Sequence, residues 1–240
     1  MTDHPALLAL LDVQAHDTRL DQLRHHHETL PARAERDAVA AALSEVEERL
    51  AAETAQRDDL ARQQKKVDDE VELLKEKRAG FDAKLYGGTV TNPGELQDLQ
   101  REIDALSRRI SALEDDELEI MERVEPVDAH LVELGATADQ RRTALAAAEL
   151  RLTAAEAEVL SEIDAETALR EASVSPIPAD LLAEYTALRG GRGGIGVARL
   201  TGTQCGACHL TLSAMEAARM RKLADGEVGH CDECGRILVP

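Results

Sequence analysis

The chain has very few aromatic residues. Its 240 residues include no Trp, two Tyr and one Phe. A globular domain of this length normally needs aromatic side chains to fill its interior. Their scarcity argues against a thick core and favours thin interfaces between helices, which Ala, Leu, Glu and Arg can form.

The sequence also lacks a long apolar run, and it does not begin with the charged and then apolar pattern of a signal peptide. These absences predict a cytoplasmic protein without membrane contact. The formal net charge is −19. A chain so acidic would repel nucleic acid if its charge were spread evenly, so the placement of its basic residues matters.

No pattern typical of an enzyme is present. We find no nucleophile paired with a base, and no carboxylate pair that suits acid–base chemistry. The glycine-rich run at 190–196 lacks the Lys-Ser/Thr pair of a phosphate-binding loop and precedes a predicted strand. We therefore predict a non-enzymatic protein without a small-molecule substrate.

What the chain does contain is a heptad pattern in two long segments. From Val39 to Leu85, and again from Leu96 to Val159, seam positions recur in alternating steps of four and three and are mostly apolar. This spacing is typical of helices that pack along a narrow seam. Because only a short Gly-, Asn- and Pro-containing stretch separates the segments, they can bury their seams by folding back on each other. If Leu85 faces Leu96, the residue numbers of paired positions sum to about 181.

Together with two Cys-x-x-Cys pairs near the end of the chain, these patterns predict a mainly α protein in three parts: a long antiparallel coiled-coil hairpin, a linker and a small C-terminal zinc ribbon. The hairpin spans 1–172, with its tip at 86–94. Residues 173–187 form a hinge and a short helix, because two prolines two positions apart exclude a helix at 176–178. The ribbon spans 188–240. Pro126 lies in the second seam without disturbing its spacing, so we expect a kink there and not a loop.

The four cysteines form the strongest chemical signal. They occur after residue 204 in two Cys-x-x-Cys pairs. Two intervening residues let one turn direct both sulfurs at a single ion, and two such knuckles build a tetrahedral site. We predict one structural Zn²⁺ held by Cys205, Cys208, Cys231 and Cys234. Four thiolates complete the coordination of zinc, which leaves no position for a catalytic water.

Secondary structure around the knuckles follows from the pattern of apolar residues. We expect strands at 197–201, 227–230 and 237–239, and a helix over about 213–223 with Met215, Met220 and Leu223 among its apolar positions. The glycine-rich run before the first strand is interpreted as a flexible loop, although it also resembles an Arg-Gly segment of nucleic-acid binding proteins.

The segment 189–222 is basic within an acidic chain. It contains one acidic residue, Glu216, and six basic residues that are candidates for partner binding: Arg189, Arg192, Arg199, Arg219, Arg221 and Lys222. Such a patch can hold phosphates or an acidic protein surface, or it can be a solvated face. The predicted ribbon has no aromatic residue, so stacking on bases is not available to it.

Two stretches resemble a known family. Residues 85–103 (LYGGTVTNPGELQDLQREI) are similar to the tip signature of bacterial proteins that join a coiled-coil hairpin to a C-terminal four-cysteine zinc ribbon, and residues 231–238 (CDECGRIL) are similar to that ribbon. The resemblance covers essentially the whole chain. It implies this fold and a non-enzymatic role. A flagellar branch of the family is implicated in regulation, through contacts with a sigma factor and with messenger RNA.

Two functional hypotheses follow. In the first, the protein is an adaptor or regulator that binds nucleic acid or an acidic protein through the basic ribbon region, with the hairpin as scaffold. In the alternative, it is a structural coiled-coil protein that binds protein partners along the hairpin, and the ribbon is a stabilising cap.

Overall fold

The computed structural model describes residues 5–224 and 227–240. The helices before the ribbon are α1 (Pro5–Glu28), α2 (Pro31–Tyr86), α3 (Pro93–Val174) and α4 (Ala179–Gly191). The ribbon contains β1 (Val197–Thr201), β2 (Gln204–Cys205), α5 (Ala214–Met220), β3 (Gly229–His230) and β4 (Ile237–Val239). The predicted fold, a mainly helical hairpin followed by a small ribbon, is confirmed. None of the described helices is both long and apolar enough to cross a membrane.

Contacts divide the chain into two compact units, one formed by 35–148 and the other by 1–34 together with 149–240. The first unit is a pair of antiparallel helices with a thin apolar seam. Leu60 clusters with Ile120, and Val71 clusters with Ile110. These partners agree with the register expected from the sequence, in which paired numbers sum to about 181.

The turn between α2 and α3 depends on its glycines and on a helix cap. A Cβ atom at Gly87 would lie 2.5 Å from a backbone oxygen, and Gly88 has a φ of +70°. Asn92 caps α3, because its side-chain oxygen accepts a hydrogen bond from the Gly94 N–H at 2.9 Å. Pro93 is the first residue of α3, where its missing N–H costs nothing.

In the helical part of the chain, prolines lie at helix boundaries except at one position. Pro31 begins α2, and the turn that contains Pro176 and Pro178 separates α3 from α4. Pro126 lies inside α3, which continues through it as a helix, so the absence of a loop is confirmed. The described helix α3 ends at Val174, two residues beyond the predicted end of the hairpin.

The second unit is built around a short sheet with the strand order β2-β1-β4-β3. Strands β1 and β4 are parallel, with Val197 opposite Ile237, and the two outer pairs are antiparallel. Strand β2 was not expected from the sequence. Side chains alternate between the faces of the sheet, so that each face carries apolar residues.

One face of the sheet packs on helices. Val197, Ile237 and Val239 share a core with residues of α1, of α4 and of the turn before α4: Leu7, Leu10, Val13, Ile177, Leu181 and Tyr185. The other face, with Ala198, Leu200 and Leu238, packs on α5 and the cysteines. The ribbon is therefore bound to the adjoining helices through a shared apolar core.

Helix α5 is shorter than predicted. It begins after Ser213, whose hydroxyl accepts a hydrogen bond from the Glu216 N–H at 3.1 Å, and it ends at Met220. Met220 is buried against the sheet, but the exposed fraction of Met215 is 83%. Of these two apolar positions of the helix, only Met220 is therefore part of the core.

A buried carboxylate joins three helices of the second unit. Asp17 of α1 is 6% exposed and accepts hydrogen bonds from Tyr185 Oη at 2.7 Å and from Arg170 Nε at 2.6 Å. Arg189 Nε lies 3.5 Å from the same carboxylate, and its guanidinium also pairs with Asp21. Burial raises the pKa of Asp17, but these hydrogen bonds and the arginine charges outweigh burial and leave the pKa below its usual range.

The neighbouring Gln14 fixes the glycine-rich loop before β1. Its side-chain amide donates to the Gly194 carbonyl at 2.9 Å and accepts from the Gly196 N–H at 2.7 Å. Gly196 must lack a side chain, because a Cβ atom there would lie 2.7 Å from the Tyr185 carbonyl oxygen. The loop expected to be flexible is thus held in place at this end.

We predict that Asp17→Asn destabilises the protein by about 2 kcal/mol at pH 7, because it removes the charge from a buried, charge-assisted network. The exposed Asp12 on the same helix supplies the control Asp12→Asn, for which we expect little change. Urea unfolding followed by circular dichroism measures both. Because the folded-state pKa of Asp17 is lowered, its contribution should be complete well above pH 4 and vanish as the pH falls further. Equal stability of the two variants at pH 7 would contradict the prediction.

Candidate metal centre

The two knuckles bring the four cysteines together. Their sulfur atoms lie within 4.8 Å of one another. The Sγ atoms of Cys205 and Cys234 are 3.9 Å apart, as are those of Cys208 and Cys231. Tetrahedral zinc with Zn–S bonds of about 2.3 Å requires sulfur separations of about 3.8 Å. The donor set and its spacing therefore fit a zinc ion.

Backbone hydrogen bonds shape both knuckles. In the first, the Gly206 N–H donates to the Arg199 carbonyl at 3.0 Å, and a Cβ atom at Gly206 would lie 2.8 Å from that oxygen. In the second, Gly235 adopts a φ of +69° and its N–H donates to the Cys231 carbonyl at 2.6 Å. Glycine is needed at both positions, because they require either a close approach or a positive φ.

The local environment separates the cysteine pKa values. Burial raises the pKa of Cys205, and it raises the pKa of Cys231 to about 12. Burial acts in the same sense on Cys234, but hydrogen bonds, first of all from Arg236, lower its pKa to about 7. Four thiolates cannot coexist here without a cation, so metal binding would displace protons from the buried thiols.

Two family models match the chain. The CT398-like coiled-coil hairpin domain matches residues 13–193, and the C4-type zinc ribbon domain matches residues 204–238. The chain belongs to the CT398-like coiled-coil hairpin family. This membership confirms the resemblance noted in the sequence, and neither domain indicates an enzyme family.

A mycobacterial relative and two solved structures match this chain over almost its whole length. The uncharacterized protein Rv2229c of Mycobacterium tuberculosis is 33% identical over 96% of this chain and 94% of its own length. A structure from Mycobacterium smegmatis has 29% identity and a TM-score of 0.86, covering 98% of this chain and 97% of that chain. The structure of CT398 from Chlamydia trachomatis has 17% identity and a TM-score of 0.74 over the same shares, so it supports the fold alone.

The match to a C4-type ribbon and the four adjacent cysteines confirm the prediction of one structural zinc. When bound, a tetrathiolate zinc ion supplies folding energy and no open coordination position. The assignment of Cys205, Cys208, Cys231 and Cys234 as its ligands stays a prediction. A coiled-coil hairpin with such a ribbon supports a non-enzymatic structural or interaction role.

Three of the six candidate partner-binding residues support the fold. Arg189 pairs with Asp17 and Asp21 and is mostly covered. The guanidinium of Arg192 donates to the Cys234 carbonyl, and that of Arg221 donates to the Gly202 carbonyl. A carbonyl carries no net charge, so these hydrogen bonds do not neutralise Arg192 and Arg221, but they fix the positions of both side chains.

The other three candidates are exposed, as Arg192 and Arg221 are, but their side chains are not held by a backbone carbonyl of the described residues. Arg219 lies 3.9 Å from Glu216, a loose contact for an ion pair. Arg199 and Lys222 have no side-chain hydrogen bond or ion pair to any residue of the described ranges. Arg221 and Lys222 follow the end of α5 and do not lie within it. Arg199, Arg219 and Lys222 are therefore the cations of the segment that are most available to a partner.

Sequence reasoning missed Arg236. Its guanidinium donates to the Ile195 carbonyl at 2.8 Å and to the Arg192 carbonyl at 2.5 Å, and it lowers the pKa of Cys234. The residue follows the second knuckle directly, outside the basic window of 189–222. A count of basic residues that extended to the end of the chain would have included it.

We predict one zinc ion per chain, lost when Cys231 is replaced by Ser. Because metal binding and folding are coupled in a small ribbon, the variant should lose ordered ribbon signals while most helical content remains. Metal analysis by mass spectrometry and circular dichroism measure the two effects. Ser213→Ala, which weakens only the cap of α5, is the control and should retain zinc. Carefully purified wild-type protein without zinc would contradict the prediction.

Proposed function

We propose that the protein is a non-catalytic adaptor or regulator. Its ribbon binds nucleic acid or an acidic protein surface, and the hairpin acts as scaffold. The observation that supports this role is the exposure of Arg199, Arg219 and Lys222 in a chain of net charge −19. No carboxylate of the described residues is closely bound to any of the three. An anionic partner would be repelled by most of the chain and attracted to these cations.

The chemistry of the ribbon favours binding over catalysis. Four thiolates would fill the coordination of the ion, so no position is open to a substrate. We also propose that the protein acts in the cytoplasm, because cysteines that serve as zinc ligands persist in a reducing compartment.

Replacing Arg219 and Lys222 by Ala tests the proposal in the full chain. We expect the double variant to bind a random-sequence RNA, a DNA of the same sequence or an acidic peptide more weakly than wild type. For a nucleic acid, the slope of log affinity against log salt should fall by roughly one to two, because about two phosphate contacts are removed. Fluorescence anisotropy over a salt series measures both quantities.

The matched control is Arg62→Ala with Lys66→Ala, which removes two exposed positive charges from α2. It should leave affinity and salt dependence unchanged. If the two double variants bind every probe as wild type does, the ribbon cations are a solvated surface and the adaptor role fails at this site.

One observation favours the alternative, a structural protein in which the ribbon is a cap. The face of the sheet with Val197, Ile237 and Val239 shares a core with α1 and α4. Loss of zinc should then lower the melting temperature of those helices. Under this alternative, the Arg219 and Lys222 variant binds every probe as wild type does, whereas under the adaptor role it binds more weakly, and this difference separates the two functions.

A further inference from the structure

A groove between α2 and α3 lies in the helical unit 35–148, and the ribbon function does not use it. Its main part has a volume of about 420 Å³ and is lined by Ala52, Glu53 and Gln56 of α2 and by His130, Leu134 and Thr137 of α3. A second part shares Glu53, Gln56 and His130 and continues past Pro126. The two parts form one groove along α3 from Pro126 to Thr137.

The groove exists because the seam is interrupted here. Glu53 and Arg57 occupy two consecutive seam positions of α2 that the heptad pattern would fill with apolar residues. Arg57 satisfies its charge by donating to Asp128 at 2.7 Å. Among the described residues, Glu53 has no comparable hydrogen-bonded cation. Polar seam positions leave space that large aliphatic side chains would otherwise fill.

Glu53 carries an unsatisfied acceptor. Its Oε2 atom is shielded from solvent and has no hydrogen-bond partner among the described residues. The nearest cationic candidate is His130, whose Nδ1 lies 3.7 Å from the other carboxylate oxygen, too far for a hydrogen bond. A shielded carboxylate oxygen without a donor is costly, so this position favours a ligand that brings one.

The charge of the groove indicates that the ligand that brings a hydrogen-bond donor to Glu53 is a cation. Three carboxylates line it, those of Glu53, Glu122 and Glu133, against two arginines: Arg49, which is bound to Glu45 at 2.5 Å, and Arg123. The surrounding unit contains 28 Asp and Glu against 16 Lys and Arg, a formal net charge of −12. Like charge disfavours a second copy of this unit and disfavours nucleic acid.

We propose that this groove binds a basic amphipathic helix of a partner protein, which places a Lys or Arg side chain on Glu53. The groove covers about 17 Å of α3, or roughly three turns, which matches a short helix laid between two others. Apolar residues of the incoming helix pack on Ala52, Leu134 and Pro126, and its cations face Glu53, Glu122 and Glu133. This inference does not depend on the ribbon or its zinc.

The test uses the full chain and a fluorescently labelled model helix of about 18 Leu and Lys residues with apolar and basic faces. We expect saturable binding, weakened tenfold or more by Glu53→Gln, since a shielded charge-assisted hydrogen bond is lost. Glu48→Gln removes the same charge from an exposed position of α2 outside the groove and should bind as wild type. Ala52→Leu should weaken binding by filling the groove without changing charge.

Three results would overturn the proposal. One is the absence of saturable binding by wild type, and another is equal binding by the Glu53 and Glu48 variants. The third is spermidine binding as tightly as the peptide, with the same dependence on Glu53, which would identify a site for small cations instead. Circular dichroism of each variant confirms that α2 and α3 remain folded, so that lost binding reports on the groove.

Discussion

The ribbon sheet is apolar on both faces, and the described part of the second unit is arranged to cover them. Four strands of two to five residues cannot form a stable core alone. Helix α5 and the cysteines close one face, and α1 and α4 close the other. Each cover is small, so the loss of either one exposes a sheet that has little other support.

Because α1 must cover one face of the sheet, its buried polar residues have to find hydrogen-bond partners within the protein. Asp17 and Gln14 lie beside the helix–sheet core, where an unpaired carboxylate or amide would be costly. Gln14 satisfies the backbone of the glycine-rich loop, and Asp17 receives donors from α3 and α4. The apolar contacts supply most of the attraction, and these polar contacts select one arrangement of the helices.

Periodic and local features could be predicted from the sequence. The seam, the turn at Gly87 and Gly88, the three strands in outline and the two knuckles each follow from spacing within a short stretch. Contacts between distant segments could not be predicted. Arg189 was a candidate for partner binding, yet it pairs with Asp21, 168 positions away. No local pattern shows that α1 lies against α4 and the sheet, because apolar spacing identifies a buried face but not what covers it.

Charge divides the proposed interactions between two surfaces. The exposed cations of the ribbon, Arg199, Arg219 and Lys222, suit an anionic partner, whereas Glu53 and the carboxylates around its groove suit a cationic one. A single partner would have to present both charges at matching places, so two separate partners are the simpler expectation. A non-catalytic protein with two sites of opposite charge can bring different molecules together, which is what an adaptor requires. The aromatic-poor composition is compatible with this role, because a helical hairpin presents much surface on little core.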